Sequence, residues 1–354
     1  MTGKFERGIL VAAGALVVGL VAVAVINPPS SDVTVPQAKL KHKAPAPEAA
    51  ATQEPRVPRG IIRIKAVGTA AESLTDGLEV RALASGFKAT TLHSADALSK
   101  TFKRIGYDLD AVKSGGDAVP RLFLASLPPD MSKIRQAKDR KAIFFKTVLP
   151  LVLQVNDEIR ADRRRLWDLS VRAKKGEYLP AVDRLWLIVL AERYKVKRGD
   201  FSELLKRVDI VPTSMALAQA AEESGWGTSR FSREGNAIFG EWTFSGADGL
   251  VPKNREAGKT HKVRAFKSLL DSVRAYSRNL NTHRAYRKFR TLRREMRNAG
   301  SPVRGRRLIE TLTSYSERGI DYVKGLRAIM RVNKLERLDE AKLSRPETAE
   351  RSVI

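Results

Sequence analysis

The chain has no cysteine and only four histidines among its 354 residues. Without cysteine there is no disulfide, no thiolate nucleophile and no Cys-ligated zinc or iron–sulfur site. The histidines, His42, His93, His261 and His283, show no ligand spacing on one element, so no metal and no other cofactor is expected. No Gly-rich phosphate loop follows a strand, and "GSPVRG" at 300–305 reads as a turn between helices. No repeat of fixed period is present, which argues against a solenoid. Acidic residues are also outnumbered: 39 Asp and Glu face 65 Lys and Arg, for a net charge of +26. Such a chain seeks a polyanion, whether nucleic acid, an anionic membrane or an acidic wall polymer.

With 43% apolar residues the chain is long enough to bury a sizeable core. One apolar run stands apart. "ILVAAGALVVGLVAVAVI", residues 9–26, is uncharged over 18 positions and spans roughly 27 Å as a helix at about 1.5 Å per residue. Lys4 and Arg7 precede it and no charge follows until Asp32, so the positive-inside rule leaves the N-terminus in the cytoplasm and exports the rest. Ala22 and Ala24 form an A-x-A-like cleavage site, but the run exceeds the usual signal-peptide core, and residues 1–27 are read as an uncleaved, single-pass anchor in the inner membrane. Both readings place the body in the periplasm or cell wall.

Residues 27–59 hold seven prolines and almost no large apolar side chain, the composition of an extended tether. "IIRIKAV", residues 61–67, alternates enough for a short strand, and 28–92 as a whole is assigned to linker. Helical periodicity begins near residue 93, with Leu98, Phe102 and Ile105 following an N-cap at Ser94. A long amphipathic helix is expected over 139–169, kinked or interrupted at Pro150. "PAVDRLWLIVLAERY" and "DFSELLKRV" follow, the second with Asp200 and Glu203 in capping-box spacing. Trp167 and Trp186 are read as core on these faces. Residues 235–266 mix Gly and Asn turns with β-prone pieces, as a small hairpin lobe would, and helices resume from about 269 to 330. The boundaries expected are 93–204, 205–332 and a charged, solvated tail over 333–354.

The stretch "AAEESGWGTSR", residues 220–230, carries Glu222 and Glu223 into two glycines that flank a tryptophan. Pro212 suits a first helical turn and Gly225 the left-handed position past the last, giving a helix over 212–224. Glu223 then lies where exposed carbonyls disfavour a second negative charge, so its carboxyl is expected to hold a proton to higher pH, as a general acid must. Trp226 offers a flat apolar face for a sugar. Against this, a Glu pair at a helix end is usually just solvated.

The span "LAQAAEESGWGTSRFSREGNAIFGEW", residues 217–242, resembles the glucosaminidase family, glycoside hydrolase family 73, and most closely its Bax-like bacterial branch. The pattern A-Q-x-x-x-E-S-x-W-G followed by N-x-F-G is met by Ala218, Gln219, Glu223, Ser224, Trp226, Gly227, Asn236, Phe239 and Gly240. The wider resemblance covers about 205–332 and, for the Bax-like branch, reaches back to about 95 through "GYDLDAV" and "VPRLFLASLP". It implies a mainly α, lysozyme-like α+β fold with a small β-hairpin lobe, and an endo-β-N-acetylglucosaminidase that cleaves β-1,4 bonds next to N-acetylglucosamine in peptidoglycan. By the motif, Glu223 is the general acid. The family often carries a second acid in the hairpin after N-x-F-G, where Glu241 and Glu256 are the candidates and Glu256 is the one assigned. A family pattern like Y-A-x-D-x-x-Y-x-x-K-L near the C-terminal end corresponds to "YSERGIDYVKGL", so Tyr315 joins the catalytic set. Gln219, Trp226, Asn236, Phe239, Trp242 and Tyr322 are assigned to substrate binding. Inverting, retaining and substrate-assisted routes all stay open at this stage.

The rival from another class is a nucleic-acid binder, on "RKFRTLRREMRNAGSPVRGRR" at 287–307, where nine basic residues meet one Glu. Export argues against it, and peptidoglycan with its peptide carboxylates is an anionic partner on the correct side. A wall-binding module without catalysis is opposed by Glu223, and an amidase by the missing zinc-ligand pattern. The expected partners are therefore glycan strands and, through residues 9–26, the membrane.

Overall fold

Short polar side chains start five of the eleven α-helices among the described residues. Ser94, Asp108, Asp200, Ser229 and Ser268 each accept a backbone N–H two or three residues ahead, at 2.9–3.2 Å, which satisfies donors that the first helical turn leaves free. The computed structural model describes residues 81–82, 94–243, 249–251 and 262–345. The expected membrane helix at 9–26, the tether, the strand at 61–67 and Glu256 lie outside these. Among the described residues no helix is long and apolar enough to cross a membrane.

In chain order the elements are β1 (Arg81–Ala82), α1 (Ala95–Arg104), α2 (Leu109–Ser114), β2 (Leu122–Phe123), α3 (Ala137–Lys174), α4 (Ala181–Arg193), α5 (Phe201–Arg207), α6 (Thr213–Ser224) and α7 (Arg230–Gly235). Then come β3 (Trp242–Thr243), β4 (Gly249–Leu250), β5 (Lys262–Arg264), α8 (Leu269–Thr282), α9 (Arg287–Asn298), α10 (Gly305–Leu308) and α11 (Ile320–Val332). Two small antiparallel sheets accompany them: β1 pairs with β2, and β5 lies between β3 and β4. The lobe expected as a hairpin is thus three-stranded among the described residues.

Helix α6 lies at the centre, with α3, α8, α10 and α11 around it or packed on its neighbours. Ten of its twelve residues are buried, and only Glu222 and Glu223 are not. Its alanines make this possible, because a helix so thinly clad lets backbones approach on every side. The closest approach is at Gly305, where a Cβ would stand 2.2 Å from Ser214 Oγ. One hydrophobic core runs from Ala95 through Leu343, so 93–204 and 205–332 share it rather than folding as separate halves.

Three sequence expectations need correction. Pro150 does not interrupt α3, which runs for 38 residues with Leu149, Pro150 and Leu151 all buried. Apolar packing around this turn compensates for the one backbone donor that proline lacks. Trp167 is not core but 60% exposed, because Leu166 and Leu169 take the inward face and the intervening residue points away. Along α4 likewise only Leu190 and Ala191 are buried, while Val182, Leu185 and Val189 are exposed. Third, residues 333–345 are not a free tail. A 3-10 turn at Leu335–Glu340 buries Leu335 and Leu338, and Val119 bridges to Leu343. From this turn Asp339 accepts the Ser214 N–H at 2.8 Å and the Gly305 N–H at 3.0 Å. It supplies the capping that Pro212, the residue before α6, cannot.

Three of the nine cations of the basic run 287–307 are structural, while Arg287, Lys288, Arg294, Arg306 and Arg307 are exposed. Arg293 is fully buried and donates to the carbonyls of Asp209 and Ile210 and to Asn281 Oδ1. Arg290 bonds the carbonyls of Leu280 and His283, which close α8. Arg297 grips the Asp209 carboxylate through two bonds, at 3.1 and 2.9 Å. Burial alone would push the Asp209 carboxyl up, but the guanidiniums of Arg293, Arg297 and Arg163 outweigh it and hold it below the usual carboxylate range. Asp209→Asn would leave these cations uncompensated, and the expected loss is about 3–5 kcal/mol. Urea unfolding of the variant should show a lower midpoint at unchanged slope; a loss within about 1 kcal/mol would mean that the cluster does not hold α5, α8 and α9 together.

Candidate active site

The end of α6 builds the site. Gly225 closes the helix in the left-handed region, at φ 56°, as its position in the sequence anticipates. The N–H of Trp226 returns to the Ala221 carbonyl at 2.9 Å and that of Gly225 to the Glu222 carbonyl at 3.4 Å, the paired bonds of a Schellman ending. Trp226 and Gly227 continue in positive φ, at 60° and 78°. A Cβ on Gly227 would lie 2.9 Å from Leu127 and 3.2 Å from Phe144, so only glycine lets the turn seat there. The observed start, Thr213, differs by one residue from the expected Pro212.

This turn leaves Glu222 and Glu223 on different faces, about 100° apart. Glu222 faces outward and takes the Arg318 guanidinium at 2.6 Å. Glu223 turns inward. Its Oε1 accepts the Tyr322 hydroxyl at 2.7 Å, and its Oε2 lies 3.5 Å from where a Cβ on Gly240 would stand. Burial pushes the Glu223 carboxyl up; the Tyr322 bond opposes this, the Glu222 charge adds to it, and Arg318 offsets part.

Behind Tyr322 runs a line of hydrogen bonds. Gln219 Nε2 donates to Tyr322 Oη at 3.0 Å, and Tyr276 Oη donates to Gln219 Oε1 at 2.6 Å. Gln219 is wholly buried. It therefore fixes Tyr322 rather than touching a substrate, which corrects the sequence assignment. Phe239 is corrected in the same way: it is buried and stacks on Tyr276 at 3.8 Å between centroids. The two tyrosines exchange places relative to the expectation. Tyr322 is the one that touches Glu223, while Tyr315 stacks parallel to it at 5.6 Å and donates its hydroxyl to the Phe239 carbonyl at 3.3 Å.

Trp226 is half-buried and meets Phe144 and Phe145 edge-on, with Lys141 Nζ 4.7 Å from the ring centre. These contacts anchor the turn. Asn236 sits in the left-handed region and binds the Phe266 carbonyl at 3.1 Å, tying the loop before β3 to the strand side. Trp242 contributes its backbone to β3, opposite Val263.

Of the two second-acid candidates, Glu241 is within the described residues. It follows Gly240 directly, and burial pushes its carboxyl up to about 7 against the pull of Arg264 and Arg278. Its Oε1 is buried with no hydrogen-bond partner. The phenol of Tyr286, itself pushed up to about 12 first by burial, is raised further by both Glu241 and Glu223, so one side chain lies in the field of both carboxyls. Tyr276 and Tyr286 gave no sequence signal, being aromatics on helical stripes that read as packing. Arg318 could have been noted only as a cation in the tyrosine-bearing segment. Among the described residues no three acidic or histidine side chains gather as a metal site would require.

Comparison with known proteins bears on this geometry. Residues 199–335, which contain α6, the lobe and the tyrosines, match the glucosaminidase family, described as mannosyl-glycoprotein endo-beta-N-acetylglucosaminidase. The chain is 38% identical over 211 residues to Protein bax of Escherichia coli (strain K12), covering 58% of this chain and 74% of that protein. No solved structure matches it. The carboxyl–tyrosine arrangement at the end of α6 thus lies in a glucosaminidase domain, and the chain belongs to the Bax-like glucosaminidase-domain proteins.

Proposed function

We propose that the chain is a peptidoglycan hydrolase that cleaves β-1,4 bonds next to N-acetylglucosamine, with Glu223 as the general acid. The observation that carries this reading is the Glu223 carboxyl: it ends a helix otherwise sealed in the core, burial favours its protonated form, and Tyr322 fixes its direction. A carboxylic acid so placed protonates the glycosidic oxygen as the sugar develops oxocarbenium character. We assign the second carboxyl to Glu241, replacing Glu256. With a value near 7 it retains basicity at neutral pH, which suits a group that accepts a proton from water. Attack by the substrate's own N-acetyl oxygen is the route that would dispense with it.

The test uses purified full chain and peptidoglycan, with borohydride reduction and mass spectrometry of the released fragments. New reducing ends should carry N-acetylglucosamine; muramic, anhydro-muramic or free-peptide products would identify a different reaction. Glu223→Gln keeps the shape without the acidic proton and should cost on the order of 10²–10⁴ in rate, whereas Glu222→Gln, which removes an outward ion pair, should cost far less. Glu241→Gln should also fall by at least about 10²-fold if it handles the water. Full activity in that variant would leave the N-acetyl route, and full activity of Glu223→Gln would sink the assignment.

We further propose that residues 9–26 anchor the chain in the cytoplasmic membrane with its body outside, on the strength of their uncharged length and the basic flank before them. Protease added to intact spheroplasts should digest the body. Its full protection would reverse the topology.

A further inference from the structure

A cavity of about 630 Å³, within the range of small-ligand sites, has Glu241 in its wall. Five cations border it: Lys195, Arg264, Lys267, Arg274 and Arg278. They come from three separate places in the chain, namely the turn after α4, the β5 strand with the loop that follows it, and α8. Helical spacing sets Arg274 and Arg278 on one face of α8. Their convergence is therefore a product of the fold and not of a basic run in the sequence.

Arg274 is already committed, since its Nε and Nη2 donate to the Glu158 carboxylate at 3.0 and 2.8 Å. Lys195, Lys267 and Arg278 are exposed and make no ion pair among the described residues. A solvated cation on a protein of charge +26 needs no explanation alone. Three of them around one concavity, facing a single acidic neighbour at Glu241 beyond the paired Asp271, repel one another and form a field that a negative group would relieve. The cavity and the site meet in the sequence at consecutive residues. Gly240 stands against the Glu223 carboxyl, and the next residue, Glu241, lines the cavity. On the hydrolase reading, which takes Glu241 as the second carboxyl, a glycan held between the two carboxyls reaches this opening with a substituent.

We propose that this cavity is a specificity site for the free carboxylate of the peptide stem borne by the glycan, bound by Lys195, Lys267 and Arg278. The proposal rests on the hydrolase reading for the identity of the glycan, but its measurement is binding and not cleavage. Lysine and arginine are suited to the task, because charge-assisted bonds to a carboxylate are stronger than neutral ones and Arg278 can engage both oxygens.

The experiment compares the affinity of the full chain, in detergent micelles, for three soluble disaccharides: one bearing its stem peptide, the same with the stem carboxylates amidated, and the same stripped of peptide by an amidase. The free-acid form should bind at least ~10-fold more tightly than either of the others, with an advantage that shrinks as salt rises. The Lys267→Gln, Arg278→Gln double variant should lose that advantage and keep its affinity for the stripped disaccharide. Equal binding of all three, retention of the advantage after amidation, or equal weakening of every ligand in the double variant would overturn the proposal. A chain that prefers the free-acid stem yet releases no reducing ends would remove the hydrolase reading alone; one that cleaves but ignores the stem would remove the carboxylate site alone.

Discussion

The line of hydrogen bonds from Tyr276 through Gln219 and Tyr322 to Glu223 ties the core to the one carboxyl that α6 turns inward. Each hydroxyl both accepts and donates along it, or donates at its origin, so the members polarise one another in a low-dielectric setting and none can rotate without stranding a neighbour. This line exists only because α6 is almost entirely alanine, small polar residues and glutamine on its buried faces. A bulkier helix would hold α8 and α11 apart and break the reach from Tyr276 to Tyr322. Asp339, which caps α6 from the far end of the chain, belongs to the same construction.

Charge is divided between two tasks. Arg290, Arg293 and Arg297 spend their donors on backbone carbonyls and on Asp209, fixing the ends of α5 and α8 rather than presenting a basic surface. The basic run that suggested the rival nucleic-acid reading therefore has three of its nine cations committed to the fold. What remains unpaired among the described residues includes Lys195, Lys267 and Arg278 around the cavity lined by Glu241. Two of the cavity's cations, Arg264 and Arg278, lower the Glu241 carboxyl from where burial alone would put it, so this charge bears on the site's acid–base balance as well as on what enters it.

Local rules made much of this visible beforehand. The caps at Ser94 and Asp200 and the left-handed Gly225 follow from chemistry within one or two helical turns, whereas the inward setting of Glu223 is made by Tyr322 and Gly240. The existence of α3 also follows from local chemistry, though it runs over Ala137–Lys174 rather than the expected 139–169, and the tolerance of Pro150 is decided by tertiary packing. What failed needed distant partners. Gln219 reads as a motif residue facing substrate until Tyr276 and Tyr322, 57 and 103 residues on, are seen to consume its amide. Phe239 fails for the same reason, as its ring is covered by Tyr276. The segment at 335–343 looked solvated because three leucines spread over nine residues form no stripe, yet each fills a separate gap in the body. Tyr315 and Tyr322 could not be told apart from spacing, because the choice depends on which of them α11 carries beneath α6.

The central claim is that burial, trimmed by Tyr322, sets Glu223 as a proton-holding carboxyl. A pH titration of the Glu223 side-chain carbon resonance measures it directly, in the full chain and in Tyr322→Phe and Glu222→Gln. The account predicts a midpoint above the ordinary glutamate value of 4.5, moving further up when the Tyr322 hydroxyl no longer stabilises the ionised form, and down when the Glu222 charge is removed. A midpoint at or below 4.5 in the full chain, or one that falls in Tyr322→Phe, would contradict it.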